Sequence, residues 1–114
     1  MTIKLYHNPR CSKSRQTLAL LQQHGHPVEI VEYLKTPPDV DTLKRIIAAL
    51  GLSAHDLIRH GESAYREQEL NPDLPEQDLI EAMVAEPRLI QRPIVINGKQ
   101  ARLGRPPEAV LEIL

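Results

Sequence analysis

The sequence predicts an α/β fold, and two patterns carry this prediction. Near the N-terminus a strand, a helix and a second strand follow one another within about thirty residues, the length of a βαβ unit with parallel strands. Near the C-terminus two short strands flank a turn and precede a helix. The chain between them is helical, so we expect one domain over residues 1–114 with a helical insert at about residues 37–88.

The N-terminal elements are marked by apolar spacing and by turn residues. Ile3–Tyr6 is a predicted strand that stops at the turn-forming pair Asn8-Pro9. Residues 12–24 form a predicted helix that ends at Gly25. Residues 27–33 alternate approximately with period two, which indicates the second strand. The loop that follows the first strand therefore leads directly into a helix N-terminus.

The middle of the chain has the spacing of short helices. Asp39 or Asp41 can cap a helix that runs to Gly51. Three further helices are predicted, over residues 53–59, 64–70 and 75–86. The loops between them are too short for a linker, so we expect no second domain.

Strands return in the last quarter of the chain. Residues 93–96 and Gln100–Leu103 are predicted strands joined by a turn at Asn97-Gly98, a strong hairpin signal. Pro106-Pro107 then opens a last helix over residues 108–114. The order βαβ, helical insert, ββα matches a thioredoxin-like core with helices inserted between its halves, an arrangement that does not by itself define a function.

The composition argues against several classes of function. The chain has a net charge of −1 and only 3% aromatic residues, whereas single-stranded nucleic acids are bound by basic grooves with aromatic platforms. No run approaches the roughly 18 apolar residues of a membrane span. One cysteine permits no internal disulfide, which fits a reducing compartment, so we expect a cytoplasmic protein that binds neither membrane nor nucleic acid.

Cys11 has the surroundings of a reactive thiol. It lies at or just before the predicted helix N-terminus, where free N–H groups and the helix dipole favour an anion. No acidic residue occurs before Glu29, whereas four basic residues precede it, Lys4, Arg10, Lys13 and Arg15. Such settings lower a thiol pKa from about 8.5 to roughly 3.5–7.5. The alternative is a buried structural cysteine, which the polar neighbours disfavour.

Spacing tests narrow the chemistry of this cysteine. Ser14 replaces the second thiol of a Cys-x-x-Cys redox pair, and Thr17 replaces the arginine of a Cys-x5-Arg phosphate loop. Three arginines at structurally marked positions could hold a tetrahedral oxyanion beside a thiolate, Arg59, Arg92 and Arg105. The histidines match no metal-ligand spacing, so we expect no metal site.

These residues together resemble the glutaredoxin-coupled, ArsC-type arsenate reductase family. The similarity follows the chain in order through residues 7–15, Arg59, residues 92–95 and residues 102–106. It covers nearly the whole sequence and is greatest toward the short, chromosomal group of the family. One departure is Ser12-Lys13, where the best-characterised members resemble Gly-Thr.

The resemblance implies a site. Cys11 would be the nucleophile, and the oxyanion would be bound by Arg59, Arg92 and Arg105. Supporting positions would be His7 near the nucleophile, Ser12 and Ser14 after it, and Pro93, which matches a proline that is typically cis and lies beside the cysteine in thioredoxin-like folds.

The resemblance also implies a reaction and its partners. Cys11 would form a thiol–arsenate adduct, glutathione would enter as co-substrate, and glutaredoxin would complete the reduction to arsenite, with no bound cofactor. One alternative is a regulator of the same fold, similar to the Spx type, that binds RNA polymerase without reductase activity. Another is a monothiol, glutaredoxin-like glutathione transferase, which is disfavoured because Arg92 precedes Pro93, where glutathione-binding thioredoxin folds usually have Thr or Val.

Overall fold

The computed structural model describes residues 2–114 as two compact units. The first contains residues 2–36 and Arg92–Leu114, and the second contains Pro37–Gln91. The segment predicted as a helical insert lies within the second unit. The expected single domain over the whole chain stays a prediction.

A four-stranded sheet forms the centre of the first unit. Its strands are β1 (Ile3–Tyr6), β2 (Val28–Val31), β3 (Ile94–Asn97) and β4 (Gln100–Leu103), in the order β2-β1-β3-β4. β1 and β2 are parallel, as predicted, whereas β3 is antiparallel to both β1 and β4. Leu5 is paired with Ile30 on one side and Val95 on the other. This mixed sheet is that of a thioredoxin-like fold and confirms the predicted class.

Helix α1 (Ser12–Gln23) packs its apolar side into the core of this unit. The core consists of fully buried residues from the sheet, the helix and the C-terminal segment: Ile3, Leu5, Leu21, Val95, Val110 and Ile113. α1 stops one residue before the predicted end, and Gly25 follows with a φ of 75°, a value that glycine adopts without strain. Burial of Leu21 holds α1 against the sheet, and its truncation to Ala would cost about 2–5 kcal/mol.

The C-terminal hairpin forms, but its predicted turn is wrong by one residue. Asn97 pairs with Gln100, so the loop is Gly98-Lys99, with a φ of 64° at Gly98. The Asn97 side chain instead donates a 2.6 Å hydrogen bond to the carbonyl of Ile113. The last helix is a 3-10 helix over Pro107–Ile113, and the hydrogen bond from the Asn97 side-chain amide connects its end to the sheet.

The second unit contains three α-helices, α2 (Val40–Leu50), α3 (Ser63–Glu67) and α4 (Glu76–Ala85). Of the two candidate caps of α2, Asp39 is the one that acts, because its carboxylate accepts a 2.8 Å bond from the Thr42 N–H. Gly51 ends α2 with a φ of 71°.

The predicted helix over residues 53–59 is wrong in extent. Only a 3-10 turn, His55–Leu57, is helical. The following residues become extended because the Arg59 N–H donates to the Leu89 carbonyl at 2.7 Å and the Gln91 N–H donates to the Leu57 carbonyl at 2.8 Å. Pairing with a distant segment therefore overrides local helix propensity. Within residues 2–114, none of the helices has the length and apolar character needed to cross a bilayer.

Candidate active site

Cys11 occupies the N-cap of α1. Its backbone is extended, with φ −92° and ψ 124°, and its carbonyl accepts the first helical hydrogen bond, from the Arg15 N–H at 3.0 Å. A turn precedes it, closed by the Cys11 N–H on the Asn8 carbonyl at 3.0 Å. The residue is only 9% exposed. The end of β1 and the start of α1 thus place the thiol at the positive end of the helix dipole, as the sequence predicts.

The surroundings of Cys11 lower the pKa of its thiol. Burial raises this pKa, but the backbone N–H groups of Ser14 and Lys13 and the positive charges of Arg92 and Arg105 together lower it by more. The thiolate fraction at neutral pH is therefore larger than that of an ordinary cysteine.

Arg105 reaches the thiol with one end of its guanidinium group. Its Nη2 lies 4.0 Å from Sγ of Cys11, and its Nε donates a 2.7 Å hydrogen bond to the carbonyl of Arg92. The second bond orients the planar group, because Nε and Nη2 are fixed relative to each other. Arg105 therefore presents its positive charge to the sulfur from a defined direction.

Arg92 carries an unusual donor. Its Nε is buried and has no hydrogen-bond partner among residues 2–114. A buried donor left without an acceptor costs about 1–3 kcal/mol, more for a charged group. Arg92 also lowers the pKa of the Cys11 thiol, so its charge acts on the same atom as that of Arg105. The first unit thus brings two of the three predicted anion-binding arginines to the cysteine.

His7 and Ser14 form a buried hydrogen-bonded pair next to the loop that carries Cys11. His7 Nδ1 lies 2.6 Å from the Ser14 Oγ, which also accepts a 3.0 Å bond from the Asn8 N–H. Burial lowers the pKa of His7; Glu32 opposes this shift and Arg15 adds to it. A neutral His7 can accept a hydrogen bond at Nδ1 from the Ser14 hydroxyl, while the Ser14 Oγ accepts one from the Asn8 N–H. Both predicted supporting residues therefore hold the loop that carries Cys11.

The other supporting positions lie in the same unit. Ser12 is the exposed first residue of α1. Pro93 is buried directly before β3, and the Arg92–Pro93 peptide bond is cis, as the resemblance implied. The Arg105–Pro106 bond is also cis, which the sequence analysis did not predict.

Arg59 belongs to the second unit. Its Nη1 forms a 3.1 Å ion pair with Glu62 and lies 3.5 Å from the carbonyl of Arg88. The proposed role of Arg59 in holding an oxyanion stays a prediction.

Two residues that the sequence analysis did not assign to the site pack against its elements. Thr17 is fully buried on α1 and donates from Oγ1 to the Lys13 carbonyl at 2.8 Å. Gly104 follows β4 and donates its N–H to the Pro93 carbonyl at 2.9 Å. The sequence signal that could have identified Gly104 is its position directly before Arg105. Within the described part of the chain, no cluster of three or more His, Cys, Asp or Glu side chains could hold a metal ion.

The fold and the site define a thioredoxin-like protein whose single cysteine lies at a helix N-terminus and whose thiol pKa is lowered by the charges of two arginines. The model of the ArsC family matches residues 6–113. The chain belongs to the ArsC family.

Relatives agree with this assignment along the whole chain. A protein of Escherichia coli K12 named "Uncharacterized protein YfgD" is 52% identical, covering 98% of this chain and 96% of its own length. An arsenate reductase of Neisseria meningitidis serogroup A is 46% identical, with coverage of 98% and 97%. The solved structure of an arsenate reductase from Vibrio cholerae superposes with a TM-score of 0.96 at 48% identity, covering 100% of this chain and 98% of its own.

Proposed function

We propose that this protein is an arsenate reductase that converts arsenate to arsenite through a Cys11 thiol–arsenate intermediate, with glutathione and glutaredoxin as reductants. The proposal is supported by the lowered thiol pKa of Cys11 and by relatives that are named arsenate reductases. A reductase that attacks an oxyanion needs a thiolate and positive charge at one place, because the nucleophile and its target are both anionic.

The observation that carries the proposal is the pair of arginines at the cysteine. Arg92 has a buried Nε without an acceptor, and Arg105 holds its Nη2 4.0 Å from the sulfur. Guanidinium groups bind tetrahedral oxyanions through parallel N–H donors, and these bonds strengthen where water is excluded. An arsenate oxygen would supply the acceptor that the Arg92 Nε lacks. Arg59 is proposed as the third donor of this set.

The first half of the reaction is a substitution at arsenic. The Cys11 thiolate attacks the arsenic atom, an S–As bond forms, and one As–O bond breaks with its oxygen leaving as water after protonation. Both arginines neutralise the charge that develops on the remaining oxygens. The glutathione thiol then displaces a second oxygen as water. Arsenic is still pentavalent and is now bound to two sulfur atoms.

The second half transfers two electrons. A glutaredoxin thiol attacks the glutathione sulfur, so an S–S bond forms and the electron pair of the broken S–As bond stays on arsenic, which becomes trivalent. Water then cleaves the Cys11 S–As bond, releasing arsenite and the free thiol. An external reductant is needed because Cys11 is the only cysteine of the chain.

The test is arsenate reduction by the purified protein with glutathione, glutaredoxin, glutathione reductase and NADPH, followed as NADPH consumption. We expect turnover that disappears in Cys11→Ser and when glutathione or glutaredoxin is omitted. Equal turnover in Cys11→Ser would exclude the proposed nucleophile. Turnover with thioredoxin but not with glutathione and glutaredoxin would exclude the proposed reductants. If the protein shows no turnover and a pull-down recovers RNA polymerase, the regulatory alternative is favoured.

A further inference from the structure

Gly104 fills a place where no side chain fits. A Cβ at this residue would lie 2.7 Å from Cγ of Pro93, 3.3 Å from Cγ2 of Thr17, and closer than either to Oγ1 of Thr17. Contacts below 3.0 Å are essentially never made by a real Cβ, so a neighbour would have to move. The residue does not have the positive φ of Gly25, Gly51 and Gly98. The requirement for glycine is therefore steric and not conformational.

The neighbours of Gly104 cannot move away easily. Thr17 is fully buried, and its Oγ1 is held by a 2.8 Å bond to the Lys13 carbonyl. A β-branched side chain in a helix has few alternative rotamers. Pro93 is a buried ring, and its carbonyl is bound by the N–H of Gly104 itself at 2.9 Å. An added methyl group would therefore displace the chain at Gly104 more readily than its surroundings.

The displaced chain carries Arg105. Gly104 immediately precedes this arginine, and Thr17 lies on α1, the helix whose N-cap is Cys11. The contact between Gly104 and Thr17 is thus a close approach between the segment that bears the guanidinium and the helix that bears the thiol. The 4.0 Å separation of Nη2 and Sγ and the 2.7 Å bond to the Arg92 carbonyl both depend on where this segment lies.

We infer that Gly104 is a positioning residue that sets the distance between Arg105 and Cys11 through its direct contact with Thr17. It touches neither the sulfur nor the oxyanion and acts only through Arg105. The inference rests on the proposed function where it concerns oxyanion binding, but its effect on the cysteine is independent of any substrate.

The first measurement is the alkylation rate of Cys11 by iodoacetamide as a function of pH, which reports the thiolate and needs no arsenate. We expect Gly104→Ala to slow alkylation at neutral pH by about threefold or more, because a displaced Arg105 stabilises the thiolate less. Gly61→Ala is the matched control, since a Cβ there has nothing within 4 Å. It should alkylate at the wild-type rate.

Two double variants distinguish positioning from general destabilisation. In an Arg105→Ala background, Gly104→Ala should have no further effect on alkylation, because the group through which it acts is gone. In Thr17→Ala/Gly104→Ala, the space released by Thr17 should bring the alkylation rate back toward that of Thr17→Ala. The recovery will be partial because Pro93 still crowds the methyl group. If Gly104→Ala alone fails to fold, the double variant can still be compared with Thr17→Ala.

The second measurement is the KM for arsenate, which should rise roughly tenfold or more in Gly104→Ala, since a misplacement near 1 Å can cost about a hundredfold. Three outcomes would each overturn the inference: wild-type alkylation in Gly104→Ala, an undiminished effect of Gly104→Ala in the Arg105→Ala background, or an alkylation rate of Thr17→Ala/Gly104→Ala that is no closer to that of Thr17→Ala than the rate of Gly104→Ala is. If the protein reduces no arsenate at all, the proposed function fails while the alkylation measurements still test the role of Gly104.

Discussion

Ser14→Ala tests the buried pair that holds the cysteine loop. The Ser14 Oγ is fully buried, accepts from the Asn8 N–H at 3.0 Å and contacts His7 Nδ1 at 2.6 Å. Alanine retains the backbone of α1 and removes both hydrogen bonds. Because His7 is only 6% exposed, water cannot readily replace its lost partner, whereas Asn8 is half-buried and can be rehydrated.

The expected magnitude follows from these exposures. The buried His7 nitrogen left without a partner costs about 1–3 kcal/mol, and the rehydrated Asn8 N–H costs about 0.5–1 kcal/mol. The free energy of unfolding should therefore fall by about 2–3 kcal/mol, a large part of the 5–15 kcal/mol typical of a small protein. At an m-value of about 1–3 kcal/mol per molar urea, the unfolding midpoint should fall by roughly 0.7–3 M.

The assay is urea unfolding followed by circular dichroism, with Ser12→Ala as the matched control. Ser12 is exposed on the same helix, so both variants share the higher helix propensity of alanine, and their difference isolates the buried hydrogen bonds. We expect Ser12→Ala to unfold within about 0.5 kcal/mol of the wild type. Equal midpoints for the two variants would refute the role assigned to the Ser14 hydroxyl.

Three further predictions concern charge, pH and capping. Arg92→Lys keeps the charge but loses the buried Nε donor and the planar fork, so the KM for arsenate should rise about tenfold in steady-state assays; an unchanged KM would contradict the assigned role. Because folding lowers the pKa of Cys11, its thiolate should stabilise the fold fully above the ordinary thiol pKa of about 8.5, and this contribution should vanish as pH falls through the lowered folded-state pKa. Urea midpoints of the wild type minus those of Cys11→Ser should therefore be larger at alkaline than at mildly acidic pH, and a difference that grows toward acid would reverse the sign. Asp39→Ala should cost about 1 kcal/mol of unfolding free energy through loss of the α2 cap, against a smaller loss in Asp41→Ala; equal losses would count against Asp39 as the cap.

Local patterns explain why most of the fold was predictable. Alternating spacing and turn residues marked the strands, helical spacing marked the α-helices, and the four strands and α1 to α4 occur in the predicted order. The errors arose where a distant segment competed with a local preference. Residues 57–59 pair with residues 89–91 instead of continuing a helix, and Asn97 binds the Ile113 carbonyl instead of occupying the turn. Neither partner is visible in the local sequence.

The candidate site divides in the same way. By itself the sequence determined the placement of Cys11 at the N-terminus of α1, because a strand, a turn and a helix start follow one another along the chain. Only the tertiary structure decided which groups act on that thiol. Pairing of β1 with β3 brings Arg92 and Arg105 to a cysteine 94 residues away from Arg105, and the absent side chain of Gly104 allows the close approach. Such contacts depend on packing distances of a few tenths of an ångström, which no pattern of residue types along a chain contains.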